Sequence, residues 1–346
     1  MTEGGGQVRR RRTERIAVTG ASQPLGAALV ARLRDHPSKP DVVEIDCVTP
    51  KLGAELDGVV TVVHLAVDRS TDAPAEQRRA TNITGTTLLL DAVQAAGVRR
   101  VVLLTSAMVY GATAANAVPL DEDAPLAATA TDGLVGDWLA MERLAATRQA
   151  VSEGELEVVS VRPASLIGPV TDLLLPGLFE AVRLLAIRDG RCLWQFCHHD
   201  DLLDVLAAAS TGLVTGAVTV GSEGWLERGE VETLARMRSV VLPASAAFAT
   251  AERLHRIGAL SGPASDLQYL QHPWVVGSQR MRATGWSPRW SNKAALEEHL
   301  NQLGGRAGRG LVVVDRKYAT RAAAGAGATL AIVGSLALAR SRNRRR

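Results

Sequence analysis

Short apolar runs alternate with longer amphipathic segments over the first half of the chain. The apolar runs predict strands, and the amphipathic segments between them predict helices. The predicted strands are Ile16–Thr19, Val42–Ile45, Val59–Leu65, Val101–Leu104 and Val158–Val161. The predicted helices are Ala27–Arg34, Ile83–Ala96 and Asp137–Gln149. Strands that are apolar throughout are buried on both faces, so the pattern predicts a doubly wound α/β domain with a parallel sheet.

The pattern changes near Thr171. Beyond this residue we predict helices with one clear strand, Ala217–Val220, among turns rich in proline, glycine and tryptophan, and a last helix over Lys293–Leu303. The second part is therefore expected to be a smaller, mostly helical substrate domain. The predicted division is a basic tail at 1–14, a first domain at 15–170, a second domain at 171–303, and a tail at 304–346 with an apolar segment at 322–339.

The composition is that of a soluble globular protein, with 47% apolar and 22% charged residues. The three cysteines are too few and too unevenly spaced for a disulfide framework or a zinc site, so we expect no metal and a reducing cytoplasm. The first fifteen residues lack the apolar stretch of a secretory signal. The net charge of +3 comes from arginine clusters near both ends. The mildly acidic body argues against a nucleic-acid partner.

A glycine-bearing turn connects the first predicted strand to the first predicted helix. Residues 18–26 read VTGASQPLG. Phosphate groups bind the N–H groups at a helix N-terminus, and glycines let them approach closely. Asp46 stands twenty residues after Gly26, where an acid suits the ribose hydroxyls of NAD and repels a 2′-phosphate. These features predict an NAD site; the plainer interpretation is a structural turn and an ordinary surface aspartate.

With this turn and Asp46, the chain resembles the extended short-chain dehydrogenases/reductases, the group of NAD-dependent epimerases and dehydratases. The resemblance covers roughly residues 15–303, with the motifs in the family's order, and it implies a Rossmann-like fold. The further matching motifs are VVHLA at 62–66, TNITGT at 81–86, TSAMVYG at 105–111, VRPA at 161–164, FCHHDD at 196–201 and GWSP at 285–288.

The resemblance also implies a role for each matching residue. The turn would hold the pyrophosphate, Asp46 the adenosine ribose, and Asn82 would join the hydrogen-bond network of the active site. For His64 and Asn82, a satisfied strand-end histidine and a helix cap are the structural alternatives. The implied NAD-binding residues are Gly20, Ala21, Ser22, Gln23, Leu25, Gly26, Asp46, Leu65, Ala66, Asn82, Pro163 and Ala164.

Three departures from the family pattern concern binding. Gln23 replaces the middle glycine of the family turn and pushes against the expected position of the pyrophosphate. The stretch between Asp46 and Val59 leaves no room for the family's third strand, whose end contacts the adenine. Trp194 replaces an arginine that holds the substrate diphosphate in nucleotide-sugar members, and Arg191 is the cation that remains nearby.

The largest departure is catalytic. In the family, a Tyr-x-x-x-Lys pair transfers protons, because the lysine lowers the pKa of the tyrosine. Alignment puts Leu134 and Trp138 at these positions, and no tyrosine of this chain has a lysine four residues later. Ser106 matches the family's substrate-orienting hydroxyl, but an unassisted serine is a poor acid and base. Asp132 and Asp137 flank the vacated place, either as substitutes or as plain acids at a helix N-terminus.

Two hypotheses follow from the sequence. The favoured one is an NAD(H)-binding family member with weak or no catalysis, which acts as a sensor, a scaffold or a partner subunit. The other is an active NAD-dependent sugar-nucleotide epimerase/dehydratase, or a dehydrogenase, with relocated acid/base groups, Asp137 or Asp132 beside Ser106. The substrate is not specified by either hypothesis.

The apolar segment at 322–339 lies between arginines and carries small residues at four-residue intervals. We expect it to lie on an anionic membrane surface or to anchor the protein at the inner face of the membrane, since spanning would carry arginines to the far side. An isolated alanine-rich helix or a disordered tail is the alternative. We expect a cytoplasmic protein and, by analogy with the family, a homodimer through the helices Ile83–Ala96 and Asp137–Gln149.

Overall fold

The computed structural model describes residues 14–70, 73–169, 176–181, 183–257, 260 and 262–307. The strands are β1 (Arg15–Thr19), β2 (Asp41–Ile45), β3 (Thr61–His64), β4 (Arg100–Leu104), β5 (Glu157–Pro163), β6 (Ser165–Ile167), β7 (Leu184–Ile187), β8 (Phe196–His198), β9 (Ala217–Val220) and β10 (Ser239–Leu242). The α-helices are α1 (Pro24–Arg34), α2 (Leu52–Glu55), α3 (Ala75–Arg79), α4 (Gly85–Ala95), α5 (Gly133–Val151), α6 (His199–Ser210), α7 (Arg228–Ala235), α8 (Ala244–Arg256), α9 (Gln279–Arg282) and α10 (Asn292–Ala307).

The central sheet confirms the predicted α/β class. It is parallel and has the strand order β2-β1-β3-β4-β5-β9. The middle strands are buried along almost their whole length, as a sheet covered on both faces requires. Helices α1 and α6 pack against each other, as do α4 and α5. Thr19 at the end of β1 pairs with both Ile45 and His64, so the neighbouring strands end at one edge of the sheet.

The second half of the chain holds more strands than the sequence predicted. The predicted strand at Ala217–Val220 is β9, and it extends the central sheet by pairing with β5. Two further pairs, β7 with β10 and β6 with β8, form small parallel sheets that the sequence did not predict. Strands of three or four residues are too short to show a period, so this part was wrongly predicted to contain one strand. Helix α10 also continues to Ala307, beyond the predicted end at Leu303.

Residues 46–60 are all described, and they contain the single-turn helix α2 but no strand. The predicted loss of the family's third strand is therefore confirmed. Within the described ranges, no helix is long and apolar enough to cross a membrane. The apolar segment at 322–339, Thr171 and the arginine clusters at 9–12 and 340–346 lie outside these ranges.

Candidate functional site

The predicted cofactor residues gather at one edge of the central sheet. They follow β1, β2 and β3 or end β5, and these strands are parallel. In an open α/β sheet, this carboxyl edge is where ligands bind. The residues at the edge are the turn Gly20–Gly26, Asp46, Leu65, Ala66, Pro163 and Ala164.

Two glycines of the turn are required by close backbone packing. Gly20 has φ +69°, and a Cβ there would lie 2.7 Å from the carbonyl carbon of Leu65. A Cβ on Gly26 would lie 2.0 Å from the carbonyl oxygen of Gly20. The Ala21 N–H donates to the Ile45 carbonyl oxygen at 3.1 Å, which fixes the turn to β2. The glycines thus hold α1 tightly against the end of the sheet.

The N-terminus of α1 suits an anion. Among the described residues, no side chain caps this end, and its first turn contains no acidic residue. The free N–H groups and the helix dipole therefore favour a phosphate here. Gln23, the residue that replaces the family glycine, is the exposed N-cap residue. Asp46 lies beside the turn, because its Oδ1 accepts the Ser22 N–H at 3.2 Å. The residues present fit a dinucleotide.

His64 is a buried structural histidine, as its plainer interpretation predicted. Thr19 Oγ1 accepts the N–H groups of Leu65 at 3.1 Å and Ala66 at 3.2 Å, which leaves its proton for His64 Nδ1 at 2.9 Å. Thr86 gives its proton to a helix carbonyl, so His64 Nε2–H donates to Thr86 Oγ1 at 3.3 Å. Burial lowers the pKa of His64 to about 4, and the ring is neutral. The network holds the Leu65–Ala66 backbone in place.

Asn82, which lies just before α4, links the backbone of Asp68 to the carboxylate of Asp137. Its Oδ1 accepts the Asp68 N–H at 2.7 Å, and its Nδ2 donates to the Asp68 carbonyl at 2.9 Å and to Asp137 Oδ2 at 3.2 Å. The side chain thus joins a network, as the resemblance implied, and does not cap the helix. Arg78 Nε donates to the same Asp137 oxygen at 2.8 Å, and both side chains are buried. Asp137 is thus joined to Arg78 in a buried pair.

Ser106 lies at the end of β4, above a buried ionic network. Its Oγ accepts the Met108 N–H at 3.3 Å, which starts the 3-10 turn Ala107–Tyr110. Below it, Glu142 accepts hydrogen bonds from Thr105 Oγ1 at 2.7 Å and from Arg162 Nε at 2.9 Å. From the sequence, Arg162 was assigned no role in the site. The signal that could have indicated one was a charged residue inside an apolar strand.

Tyr110 belongs to the same network and is not available as a base. Its hydroxyl accepts a hydrogen bond from Arg162 Nη1 at 2.8 Å and donates to the Glu122 carbonyl at 3.1 Å. Burial is the largest influence on the Tyr110 pKa and raises it. A phenol held in this way cannot replace the family's tyrosine near neutral pH.

Leu134 and Trp138, which the sequence alignment set at the positions of the family's tyrosine and lysine, are both buried. The guanidinium carbon of Arg69 lies 5.2 Å from the centroid of the Trp138 ring. Arg69 Nη1 also lies 3.4 Å from the Thr105 carbonyl oxygen at the end of β4. Arg69 therefore places a cation beside Trp138. The sequence gave no signal for this contact, since it depends on the path of the loop after β3.

A carboxyl group from the second half of the chain lies beside the N-terminus of α5. The 3-10 turn Ala264–Leu270 contacts the Ser106 turn, because the Tyr269 hydroxyl donates to the Met108 carbonyl at 2.6 Å. Asp266 Oδ2 lies 4.0 Å from a Cβ built on Gly133, the first residue of α5. Burial raises the pKa of Asp266 to about 7; Asp132 adds to this rise and Arg78 opposes it. Sequence reasoning missed Asp266.

The predicted substrate side contains a cavity of about 290 Å³. Trp194 is buried against Phe179, with ring centroids 5.6 Å apart, so it replaces the family's arginine with apolar packing. Arg191 lines the cavity, and its Nη2 lies 3.6 Å from Glu227 Oε1. The cavity also contains Arg228. Two arginines, Arg191 and Arg228, therefore line the same cavity as Trp194.

One group of three metal-ligating side chains is found within the described ranges. The ligand atoms of His198, His199 and Asp200 lie within 4.8 Å of one another. His198 Nε2 lies 2.7 Å from Glu298 Oε2, and its ring stacks on Trp290. His199 Nε2 lies 3.2 Å from Asp200 Oδ1. These contacts explain the FCHHDD motif as a junction between β8, α6 and α10.

The sequence profile of the NAD dependent epimerase/dehydratase family matches residues 16–221, more than half of the chain. The chain therefore belongs to this family. An uncharacterized protein of Mycobacterium tuberculosis (strain ATCC 25618 / H37Rv) is 28% identical over 335 residues, which cover 86% of this chain and 85% of the relative.

Solved structures agree with this assignment at the level of the fold. A dTDP-glucose 4,6-dehydratase from Bacillus anthracis, in complex with NAD, has a TM-score of 0.59 and 15% identity, with 86% of this chain and 98% of that chain covered. The protein RMD from Pseudomonas aeruginosa, complexed with NADPH, has a TM-score of 0.59 and 21% identity, with 85% and 100% covered.

Proposed function

We propose that this protein is an NAD(H)-dependent oxidoreductase of the epimerase/dehydratase family that works without the family's tyrosine–lysine pair. The observation that carries the proposal is the uncapped N-terminus of α1, held against the sheet by Gly20 and Gly26, with Asp46 bound to the turn. This arrangement offers N–H donors to a pyrophosphate and a carboxylate to a ribose. The NAD and NADPH in related structures are consistent with a nicotinamide dinucleotide here.

Asp46 favours NAD over NADP. Its carboxylate is exposed beside the turn and would accept hydrogen bonds from the ribose hydroxyls. The 2′-phosphate of NADP would place a negative charge beside the Asp46 carboxylate, and the two like charges would repel each other. The described chain after β2 offers the short helix α2, and the family's adenine-contacting strand is absent from residues 46–60. Because this strand is absent, we expect the contact between Asp46 and the ribose to contribute a larger share of the affinity for NAD than it does in family members that have the strand.

The bound nicotinamide would supply hydride transfer at a carbon that carries a hydroxyl or carbonyl group. The chain's own residues would orient the substrate and move the proton. Ser106 Oγ accepts the Met108 N–H and keeps its proton, so it can donate to a substrate oxygen. Asn82, Asp137 and Arg78 fix the buried wall of the site through their mutual hydrogen bonds. Arg69 would supply the positive charge that the missing lysine supplies in the family.

A non-catalytic, NAD(H)-binding protein is the second candidate. The observation that favours it is the burial of Leu134 and Trp138 at the positions of the tyrosine and lysine. In this case the fold would act as a cofactor sensor, a scaffold or a partner subunit. Both candidates share the same cofactor cleft, and they differ only in whether a substrate is turned over.

Turnover measurements separate the two candidates. The full chain would be incubated with NAD⁺ and UDP-glucose, dTDP-glucose, a steroid alcohol or an isoprenoid alcohol, and NADH formation or product formation would be followed. Asp41→Ala is the matched control for Asp46→Ala, because Asp41 begins β2, at the opposite end of the strand from Asp46, and pairs with Arg15. Turnover that Asp46→Ala lowers at least about tenfold, and Asp41→Ala leaves unchanged, supports the oxidoreductase. NADH binding without any turnover supports the second candidate.

A further inference from the structure

We propose that Asp266 is the proton-transfer group of this active site and that it acts from the second half of the chain in place of the family's tyrosine. The inference rests on the cofactor cleft proposed above and names the group that would handle the substrate's proton. It also explains how a chain without the tyrosine–lysine pair can keep acid and base chemistry.

The position of Asp266 is the first argument. The turn that carries it packs on the N-terminus of α5, where a Cβ on Gly133 would lie 2.7 Å from Pro263 Cδ and 4.0 Å from Asp266 Oδ2. Gly133 directly precedes Leu134, which aligns with the family's tyrosine. Tyr269, three residues beyond Asp266, hydrogen-bonds the Met108 carbonyl beside Ser106. In a 3-10 helix, residues three apart share one face. Asp266 therefore lies beside the start of α5, next to the residue that aligns with the family's tyrosine.

The hydrogen bonding of Asp266 is the second argument. Its Oδ1 is buried and has no hydrogen-bond partner among the described residues. A buried acceptor without a partner is costly, and a proton or a ligand hydroxyl at that oxygen would remove the cost. Asp137 also has a buried Oδ1 without a partner, but its Oδ2 accepts hydrogen bonds from Arg78 and Asn82, whereas no side chain donates to Asp266 among the described residues. Asp266 is therefore the carboxyl that is free to exchange a proton.

The charges around Asp266 are the third argument. Asp132 at the start of α5 disfavours its ionisation, and Arg78 on α3 favours it. Helix α8 contributes His255, whose Nε2 lies 3.9 Å from Asp132 Oδ2. Burial is the dominant influence and brings the pKa of Asp266 to about 7. A carboxyl with such a pKa is present in both protonation states near neutral pH, as a general acid and base must be.

The proposed proton step is balanced. In the oxidation of a secondary alcohol, the O–H bond breaks and its proton passes to the Asp266 carboxylate. Bound NAD⁺ would serve as the oxidant: the C–H bond of the same carbon would break, and the nicotinamide would accept this hydrogen with its two electrons as a hydride. A carbonyl group forms, and Asp266 then releases its proton to water. In the reverse direction, protonated Asp266 donates to the carbonyl oxygen that receives the hydride.

The experiment measures cofactor affinity against pH and needs no substrate. The NAD⁺ nicotinamide is positively charged and that of NADH is neutral, so only NAD⁺ binding should lower the pKa of Asp266. A fall of one unit makes NAD⁺ binding about fivefold tighter at pH 8 than at pH 6. We expect this ratio for the full chain, a ratio near one for NADH, and no pH dependence for NAD⁺ in Asp266→Asn.

Two control variants sharpen the test. Asp132→Asn removes a charge that raises the pKa of Asp266, so it should move the pH dependence of NAD⁺ binding to lower pH. Asp123→Asn removes an exposed carboxylate that pairs with Arg280, and it should leave the dependence unchanged. If Asp266→Asn does not fold, calorimetry of the unmodified chain in two buffers counts the protons released on NAD⁺ binding near pH 7, and we expect a measurable fraction of one proton.

The outcomes separate this inference from the proposed function. NAD⁺ binding that does not depend on pH, or a pH dependence that persists in Asp266→Asn, would overturn the role of Asp266 and leave the cofactor site intact. Failure of NAD⁺ and NADH to bind at any pH would overturn both. A pH dependence that is equal for NAD⁺ and NADH would also contradict the inference, because it would not report the charge of the nicotinamide.

Discussion

Arg78 and Asp137 form a buried ion pair in which Arg78 Nε lies 2.8 Å from Asp137 Oδ2. The two residues are separated by 59 positions in the sequence, and the pair joins α3 to α5. Asn82 donates to the same oxygen at 3.2 Å. Asp137 therefore fixes the buried side of the site through these contacts. Its catalytic role remains a prediction.

Asp137→Asn should destabilise the protein strongly, since it leaves the Arg78 charge buried without its partner. We expect a loss of about 3 kcal/mol in the free energy of unfolding, measured by urea denaturation. The control is Asp91→Asn, which removes an exposed pair with Arg148 and should cost less than about 1 kcal/mol. A stable Asp137→Asn variant that loses only activity would indicate a catalytic base.

Gly26→Ala should disrupt the cofactor turn. The added Cβ would lie 2.0 Å from the Gly20 carbonyl oxygen, so α1 must move away from the sheet. We expect a loss of about 3 kcal/mol in unfolding free energy and weaker NAD(H) binding. Gly53→Ala is the matched control, because a Cβ at this helical glycine meets nothing within 4 Å. It should be neutral or stabilising by up to about 1 kcal/mol.

His64 should make the protein sensitive to acid. Its folded-state pKa of about 4 is below the ordinary histidine value of 6.5, so the unfolded chain binds more protons between these two pH values. The contribution of His64 to stability is therefore complete above pH 6.5 and is lost as the pH falls towards 4, by about 3 kcal/mol. His64→Asn should remove this part of the pH dependence in urea denaturation. His36→Gln, at a partly exposed position, should not.

Asp266 should give the free energy of unfolding a pH dependence of the opposite sign to that of His64. Its folded-state pKa of about 7 lies above the ordinary aspartate value of 3.8, so the folded chain binds more protons between these two pH values. Stability should fall as the pH rises from about 4 to about 7, by up to about 4 kcal/mol. The difference in unfolding free energy between the unmodified chain and Asp266→Asn should follow this curve. A flat difference would contradict the raised pKa.

The sequence predicted the central sheet well, because its strands are continuous apolar runs. The predicted positions of β1, β2, β4 and β5 differ from the structure by few residues, and the predicted turn follows β1. The pairs β7 with β10 and β6 with β8 were missed, since such short strands are defined by partners far along the chain. The period of a sequence does not carry this information.

The candidate site was predicted in part. Motifs indicated the turn, Asp46 and Asn82, because each belongs to a local pattern that a sequence can show. Asp266 was missed, since its position depends on how the turn Ala264–Leu270 packs on α5. The ion pair of Arg162 with Glu142 was missed for the same reason, because it links β5 to α5. Burial and distant neighbours set the properties of these groups, and neither is visible in a local motif.

The binding of NAD⁺ and NADP⁺ to the full chain, measured by isothermal calorimetry, tests the central claim most directly. We predict micromolar binding of NAD⁺, binding of NADP⁺ that is at least about tenfold weaker, and a loss of most of this difference in Asp46→Ala. Asp41→Ala should behave like the unmodified chain. Absence of NAD⁺ binding at millimolar concentration, or equal affinity for the two dinucleotides, would contradict the account.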